Sequence, residues 1–219
     1  MLDEDEIARA DEAARNAAEE LRKAGPIDDD TLRVLLTEAR THYGWQDRPV
    51  TRETLRALWD IARMGPTSMN QQPMRIVFVE TDAGREKLKG AVLEGNIPKL
   101  MSAPVTAILC HDMQFHEKLP ELFPPNPNAR DMFAGNDDMR TANAFRNGTL
   151  QVAWFIIAAR AVGLDTGPMS GFNNAKVDAL FLEGTTWKSN VLCNLGYADI
   201  SKIFRRLPRL DFDDVATFA

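Results

Sequence analysis

Three short runs, 75-RIVFVE-80, 104-PVTAILCH-111 and 190-NVLCNLGY-197, are apolar and rich in β-branched residues, which predicts buried strands. Elsewhere apolar positions recur at helical spacing. Leu55, Leu58, Trp59 and Ala62 form one stripe behind Thr51, a residue suited to cap the helix. Leu32, Leu35 and Leu36 follow the acidic start Asp28-Asp29-Asp30 and predict a helix to about Arg40. Further helices are expected around 83–94, 140–163 and 173–181. Residues 3–24 carry only a weak stripe (Ile7, Ala10, Ala14, Leu21) that stops at Gly25-Pro26. They read as a helical arm, residues 1–26, ahead of a single domain over 27–219. Strands and helices do not alternate regularly, so an α+β layered architecture fits better than a doubly wound parallel sheet. Residues 112–139 hold Pro120, Pro124, Pro125 and Pro127 among Phe115, Phe123, Met132 and Phe133. Such a stretch is expected to be a long loop, serving as a lid or a binding loop or left disordered, and its aromatic and Met content argues against disorder.

Composition narrows the function. The 219 residues are 44% hydrophobic and 26% charged, with a net charge of −6. Eight acids against four bases place −4 of that in residues 1–24, so the body is nearly neutral. This argues against a nucleic-acid or anionic-membrane partner. The most apolar run, 152-VAWFIIAA-159, is too short to span a bilayer, and the acidic start lacks a signal-peptide core. Cys110 and Cys193 sit in apolar runs and read as buried reduced thiols, which suits a cytoplasmic protein. Motifs for dinucleotide or nucleotide phosphate binding, GxGxxG after a strand and GxxxxGK[ST], are missing. His116-Glu117 begins like a zinc-protease motif, but Pro120 stands where the second ligand belongs, and no metal is expected.

Four polar segments remain: 39-ARTHYGW-45, 65-GPTSMNQQP-73, 166-TGPMSGF-172 and 205-RRLPRL-210. Singly they also read as a helix end, a loop, a tight turn and a basic tail. Together they match what a flavin mononucleotide (FMN) requires. Its phosphate calls for Arg with hydroxyl or backbone donors, the pyrimidine edge for amides, and the ring for close backbone approach at a Gly/Pro turn.

These segments, with LPELFP, AFRNGTLQ, GLDTGPMSGF and WKSNVLCNLGY, resemble the FMN-dependent nitroreductase family from about residue 31 onward. Within it the chain looks most like the malonic semialdehyde reductases of pyrimidine utilisation. The resemblance implies a nitroreductase-like mixed β-sheet flanked by helices, in an intertwined homodimer with FMN at the interface. The family's Pro-Ser-Ser-x-Asn-x-Gln-Pro pattern falls on Pro66, Thr67, Ser68, Asn70, Gln72 and Pro73, implying ring contacts from Ser68 and Asn70. Its Pro-x-Glu-Gly turn falls on Pro168, Met169, Ser170 and Gly171, with Ser170 in place of the Glu. The Arg-Arg-Ser-x-Arg pattern falls on residues 39–43, where Ala39 and Tyr43 replace two cations. Arg40 and Thr41 must therefore carry more of the phosphate binding, with help from His42. Arg209 matches the phosphate-binding Arg near the C-terminus, and Arg206 is close enough to assist.

The activity implied is NADH- or NADPH-dependent reduction through FMN, with malonic semialdehyde going to 3-hydroxypropionate. A nitroaromatic or quinone acceptor, or flavin binding without turnover, are the alternatives. A carboxylate substrate calls for a cation, and Arg130 and Arg140 flank the stretch expected nearest to it. The helix at 150–163 is apolar nearly all round, which suits a subunit interface or a central core helix.

Overall fold

The computed structural model describes residues 4–219, so the predicted helix start at residue 3 lies outside the described residues. The chain divides into two compact units, between Ala39 and Arg40. The first holds α1 (Glu4–Ala24), α2 (Asp29–Leu32) and a π-helical turn, Arg33–Thr37. Gly25 ends α1 at φ +69°, a left-handed conformation that glycine adopts without a Cβ penalty. Asp28 caps α2, accepting from the Thr31 amide at 2.8 Å. The Thr31 hydroxyl, and then that amide, hold its carboxyl below the usual range.

The second unit is built on four strands: β1 (Met74–Val79), β2 (Val105–Asp112), β3 (Asp165–Met169) and β4 (Trp187–Gly196). They lie in the order β1-β2-β4-β3, and each neighbouring pair is antiparallel. Among the described residues the parallel element is the bridge from Thr41 to Thr166. Every residue of β2 is buried, because helices cover both faces. On one face Val105, Ala107 and Leu109 meet Leu55 and Leu58 of α3 (Arg52–Ala62) and Val152, Phe155 and Ala159 of α8 (Asp137–Ala161). On the other, Ile108, Cys110 and Leu192 meet Leu88 of α4 (Asp82–Lys89), Leu100 of α5 (Ile97–Ser102) and Val177 of α9 (Asn174–Phe181). A period of two along β2 thus feeds two cores. Burial pushes both free thiols, Cys110 and Cys193, up to about 12, so neither is a thiolate at neutral pH.

The expected Thr51 cap forms, its Oγ1 accepting from the Thr54 amide at 3.2 Å. Asn136, not expected as a cap, starts α8 by accepting from the Met139 amide at 2.9 Å through Oδ1. Two expectations change. The sequence reads as a tight turn at 166–172, because Gly and Pro depress strand propensity, yet β3 is a strand. It lies at the sheet edge, where Pro168 needs no ladder donor. Residues 112–139 are not an open loop either. They fold as a 3-10 turn, Phe115–Lys118, then α6 (Leu119–Leu122) and α7 (Ala129–Ala134). Phe115, Leu119, Ala129 and Phe133 join Ala144 of α8 in a separate small core. From Ile200 onward the chain runs exposed through a short α10 (Phe212–Val215). Among the described residues no helix is long and apolar enough to cross a membrane.

Candidate functional site

The polar segments gather in two places. The first lies along the β3 edge. Thr41 bridges Thr166, and the His42 amide donates to the Thr166 carbonyl at 3.0 Å, so residues 41–42 run beside β3. His42 itself turns inward. It is buried, and Nε2 lies 3.2 Å from Asp165 Oδ1. The other Asp165 oxygen accepts from the Ala198 amide at 2.8 Å. Burial alone would raise the Asp165 carboxyl, but His42 and that amide prevail and hold it below its ordinary value. His42 thus anchors the strand edge, whereas Arg40 reaches the C-terminal segment and donates to the Phe204 carbonyl at 3.1 Å.

The close approach depends on Gly167. A Cβ there would stand 2.7 Å from the His42 carbonyl and 3.0 Å from the Trp45 ring. At the end of β3, Pro168 and Met169 lead to the exposed Ser170 and to Gly171, whose carbonyl accepts from the Leu93 amide and from Asn96 Nδ2, both at 3.0 Å. Arg209 folds back on the carbonyls of Leu207 and Pro208 at 3.0 and 3.1 Å. Arg206 lies in the same exposed stretch.

This edge also holds Lys99, which no sequence motif marks. Lys99 is only 8% exposed, and Nζ sits 4.9 Å above the Tyr43 ring. Burial lowers its ammonium below the usual lysine range. A cation therefore reaches position 43 from α5, where the 39–43 pattern lacks its own. Lys99 and Asn96 are three residues apart, one at each end of the first turn of α5, and both face this edge. The one signal in sequence was a lysine inside the otherwise apolar run IPKLM.

The second place is the loop leading into β1, at the opposite edge of the sheet. Three inter-strand steps of about 4.8 Å separate the edges by about 14 Å. Met69, Asn70 and Gln72 all have φ between 41° and 50°, a region that costs non-glycine residues on the order of 1–3 kcal/mol each. Side chains from α8 hold the loop: Asn147 Oδ1 accepts from the Ser68 amide at 2.8 Å, and Gln151 Oε1 from the Met74 amide at 2.9 Å. Asn70 donates to the Leu122 carbonyl at 2.9 Å and accepts from Gln72 Nε2 at 2.8 Å. The Thr67 hydroxyl accepts from the Gln72 amide at 3.2 Å. Pro66 and Ser68 are exposed, whereas Gln71 is buried.

The two arginines flanking the small core are already paired. Arg130 grips Glu117 through two bonds of 2.8 and 2.9 Å, and Arg140 Nη2 lies 2.8 Å from Asp137. Asp112, between His111 and His116, takes Arg75 at 2.8 Å. Among the described residues no group of three His, Cys, Asp or Glu could hold a metal.

Comparison with known proteins gives the family of this fold. The model of the nitroreductase family matches residues 36–197. A Burkholderia lata protein, provisionally named an NADH dehydrogenase/NAD(P)H nitroreductase, is 53% identical over 190 residues, 87% of this chain and 97% of its own. A provisionally named nitroreductase from Exiguobacterium sibiricum, solved in complex with FMN, superposes with a TM-score of 0.77 at 18% identity, covering 89% of this chain and 99% of that one. A Staphylococcus epidermidis protein provisionally named an NAD(P)H:FMN oxidoreductase gives 0.75 at 20% identity, covering 89% and 98%. With its model matched over most of the length and a relative at 53% identity, the chain belongs to the nitroreductase family.

Proposed function

We propose that the protein is an NAD(P)H-dependent FMN oxidoreductase whose flavin lies between two copies of the chain, and that it reduces malonic semialdehyde to 3-hydroxypropionate. The observation that carries the flavin reading is the pair of half-sites at opposite sheet edges. The β3 edge offers Arg40, Thr41, Lys99 and the Pro168–Gly171 turn, suited to a phosphate and to the negative charge of a reduced ring. The loop before β1 offers exposed Ser68 beside Asn70 and Gln72, suited to the hydrogen-bonding edge of a flat heterocycle. The fit is chemical: Lys99 is a buried cation with no carboxylate in ion-pairing distance among the described residues, as a site awaiting an anion requires. Arg206 and Arg209 complete the cationic side. Bound FMN would supply hydride transfer from NADH or NADPH to the acceptor, while these residues bind and orient it.

The semialdehyde rests on the sequence motifs GLDTGPMSGF, LPELFP and RRLPRL. A second reading, a nitroaromatic or quinone acceptor, is favoured by the pairing of Arg130 with Glu117 and Arg140 with Asp137, which leaves neither free for a substrate carboxylate. Purified protein should be yellow, and kcat/KM with malonic semialdehyde should exceed that with matched nitroaromatic and quinone acceptors. The opposite ranking would establish the second reading. Failure to oxidise NAD(P)H with any acceptor would leave a flavin-binding protein, and a colourless protein that cannot be reconstituted would overturn the flavin itself.

A further inference from the structure

α8 crosses the main core, yet it carries a buried polar ladder. Asn143, Asn147 and Gln151 recur every four residues and so lie along one face of the helix. Asn147 and Gln151 are each 1% exposed, as is Gln71 opposite them. Amides in such a place are costly unless bonded. Gln151 Oε1 takes the Met74 amide at the start of β1 while its Nε2 has no partner, and the bonds of Asn143 and Asn147 go to the loop before β1 or to α8 itself. Asn147 Oδ1 takes the Ser68 amide at 2.8 Å. Its Nδ2 donates to Gln71 Oε1 at 2.9 Å and to the Asn143 carbonyl at 3.0 Å. Gln71 Nε2 continues to Asn143 Oδ1 at 3.2 Å. One carboxamide therefore grips the loop at two points, Ser68 and Gln71, which bracket the left-handed Met69 and Asn70.

Left-handed non-glycine residues persist only where their surroundings over-determine them. A conventional apolar helix face would pack against the loop but could not specify those dihedrals. We infer that Asn147 is a positioning residue: it holds Ser68 and Asn70 in the conformation that receives the flavin, without touching the flavin. The inference rests on the flavin reading above, but the clamp itself can be measured on flavin-free protein.

The test compares wild type with Asn147→Leu, which keeps the shape and removes both polar functions, and with Gln71→Met, which cuts the clamp from the loop side. Val152→Ala, in the adjacent apolar core, controls for general destabilisation. Hydrogen exchange of the peptide over residues 66–73 is followed in flavin-free protein, and FMN dissociation constants are read from fluorescence quenching. The clamp predicts at least tenfold faster exchange in 66–73 and at least tenfold weaker FMN binding in Asn147→Leu and Gln71→Met. Val152→Ala should lower the melting temperature with neither change. Exchange as slow as wild type, or FMN binding no weaker than in Val152→Ala, overturns the inference. Should Asn147→Leu not fold, Gln71→Met decides by the same two readings. Should wild type itself not bind FMN, the flavin reading and the positioning role built on it both fall, and the exchange comparison then shows only whether Asn147 holds the loop.

Discussion

Lys99 brings a charge into a buried place with no carboxylate for it among the described residues, and Tyr43 gives its ammonium only a ring face. A cation so placed favours neither the fold nor itself, and burial lowers its proton affinity below that of a free lysine. The sign of the linkage follows. In the window below the ordinary lysine value of about 10.4, the unfolded chain binds the proton more completely than the folded one. Stability of the flavin-free protein contributed by this group therefore rises with pH across that window. Lys99→Met should melt higher than wild type at neutral pH, by about 2–4 °C for each kcal/mol relieved. It should also lack that share of the alkaline rise and bind FMN more weakly, because the anion partner has gone. Thermal unfolding of both flavin-free proteins from pH 7 to 10, followed by FMN titration, checks this. Identical pH profiles, or undiminished flavin affinity, would remove Lys99 from the site. The residue was illegible in sequence because its role arises from contact between α5 and residue 43, far apart in the chain.

At the scale of elements, the segment from Phe115 to Phe133 carries its own small core beside α8, and Met69 of the strained loop packs against it. Phe133 meets Phe115 edge-on at 5.1 Å, so truncating it removes an aromatic pair as well as volume. Phe133→Ala should cost about 3–5 kcal/mol locally. We expect it to open residues 113–136 to protease while the sheet, built on a different core, melts nearly as before. Leu109→Ala, at the centre of that sheet, should instead lower the global transition. If Phe133→Ala shifts the global midpoint as far as Leu109→Ala and gives no local cleavage, the small core is not a separate unit. Sequence made the sheet's three apolar strands and the capped helices legible, because period and caps are local. It hid β3, a strand of Asp, Thr, Gly and Pro whose partner is 27 positions away on average in the register from Asp165↔Gly196 to Met169↔Leu192. It also hid α5 and α6, whose prolines sit in the first turn, where they start helices and do not break them. The geometry of the candidate site was half legible. The motifs marked Arg40, Ser68 and Gly171, but not the inward turn of His42, nor that Gln71, an unspecified position of the pattern, is the buried anchor.

For the whole molecule the question is what covers its apolar surface. Within the larger unit Met64, Phe145, Leu150 and Trp154 are exposed, the first just past α3 and the others on α8 beside the strained loop. The Trp154 ring lies against Gly65, so this patch runs directly into the Pro66–Gln72 half-site. At the other half-site the chain leaves as an exposed segment bearing Phe204, Leu207, Leu210, Phe212 and Phe218, the last 91% exposed. A monomer would leave both surfaces in water, an unusual load of large apolar side chains. The two-fold pair proposed above would cover them reciprocally, since an isologous interface sets each copy's patch against the other copy. It would also set the β3 edge of one chain beside the strained loop of the other, joining half-sites that a single sheet holds about 14 Å apart. We therefore expect light scattering at micromolar concentration to give twice the chain mass, with one FMN per chain. Trp154→Glu combined with Phe145→Asp should yield monomers that remain folded by circular dichroism, because both side chains lie outside the buried core. Those monomers should have lost most of their flavin, although every residue named for binding it is unchanged. A folded monomer that keeps FMN as tightly as wild type would show that one chain builds the whole site.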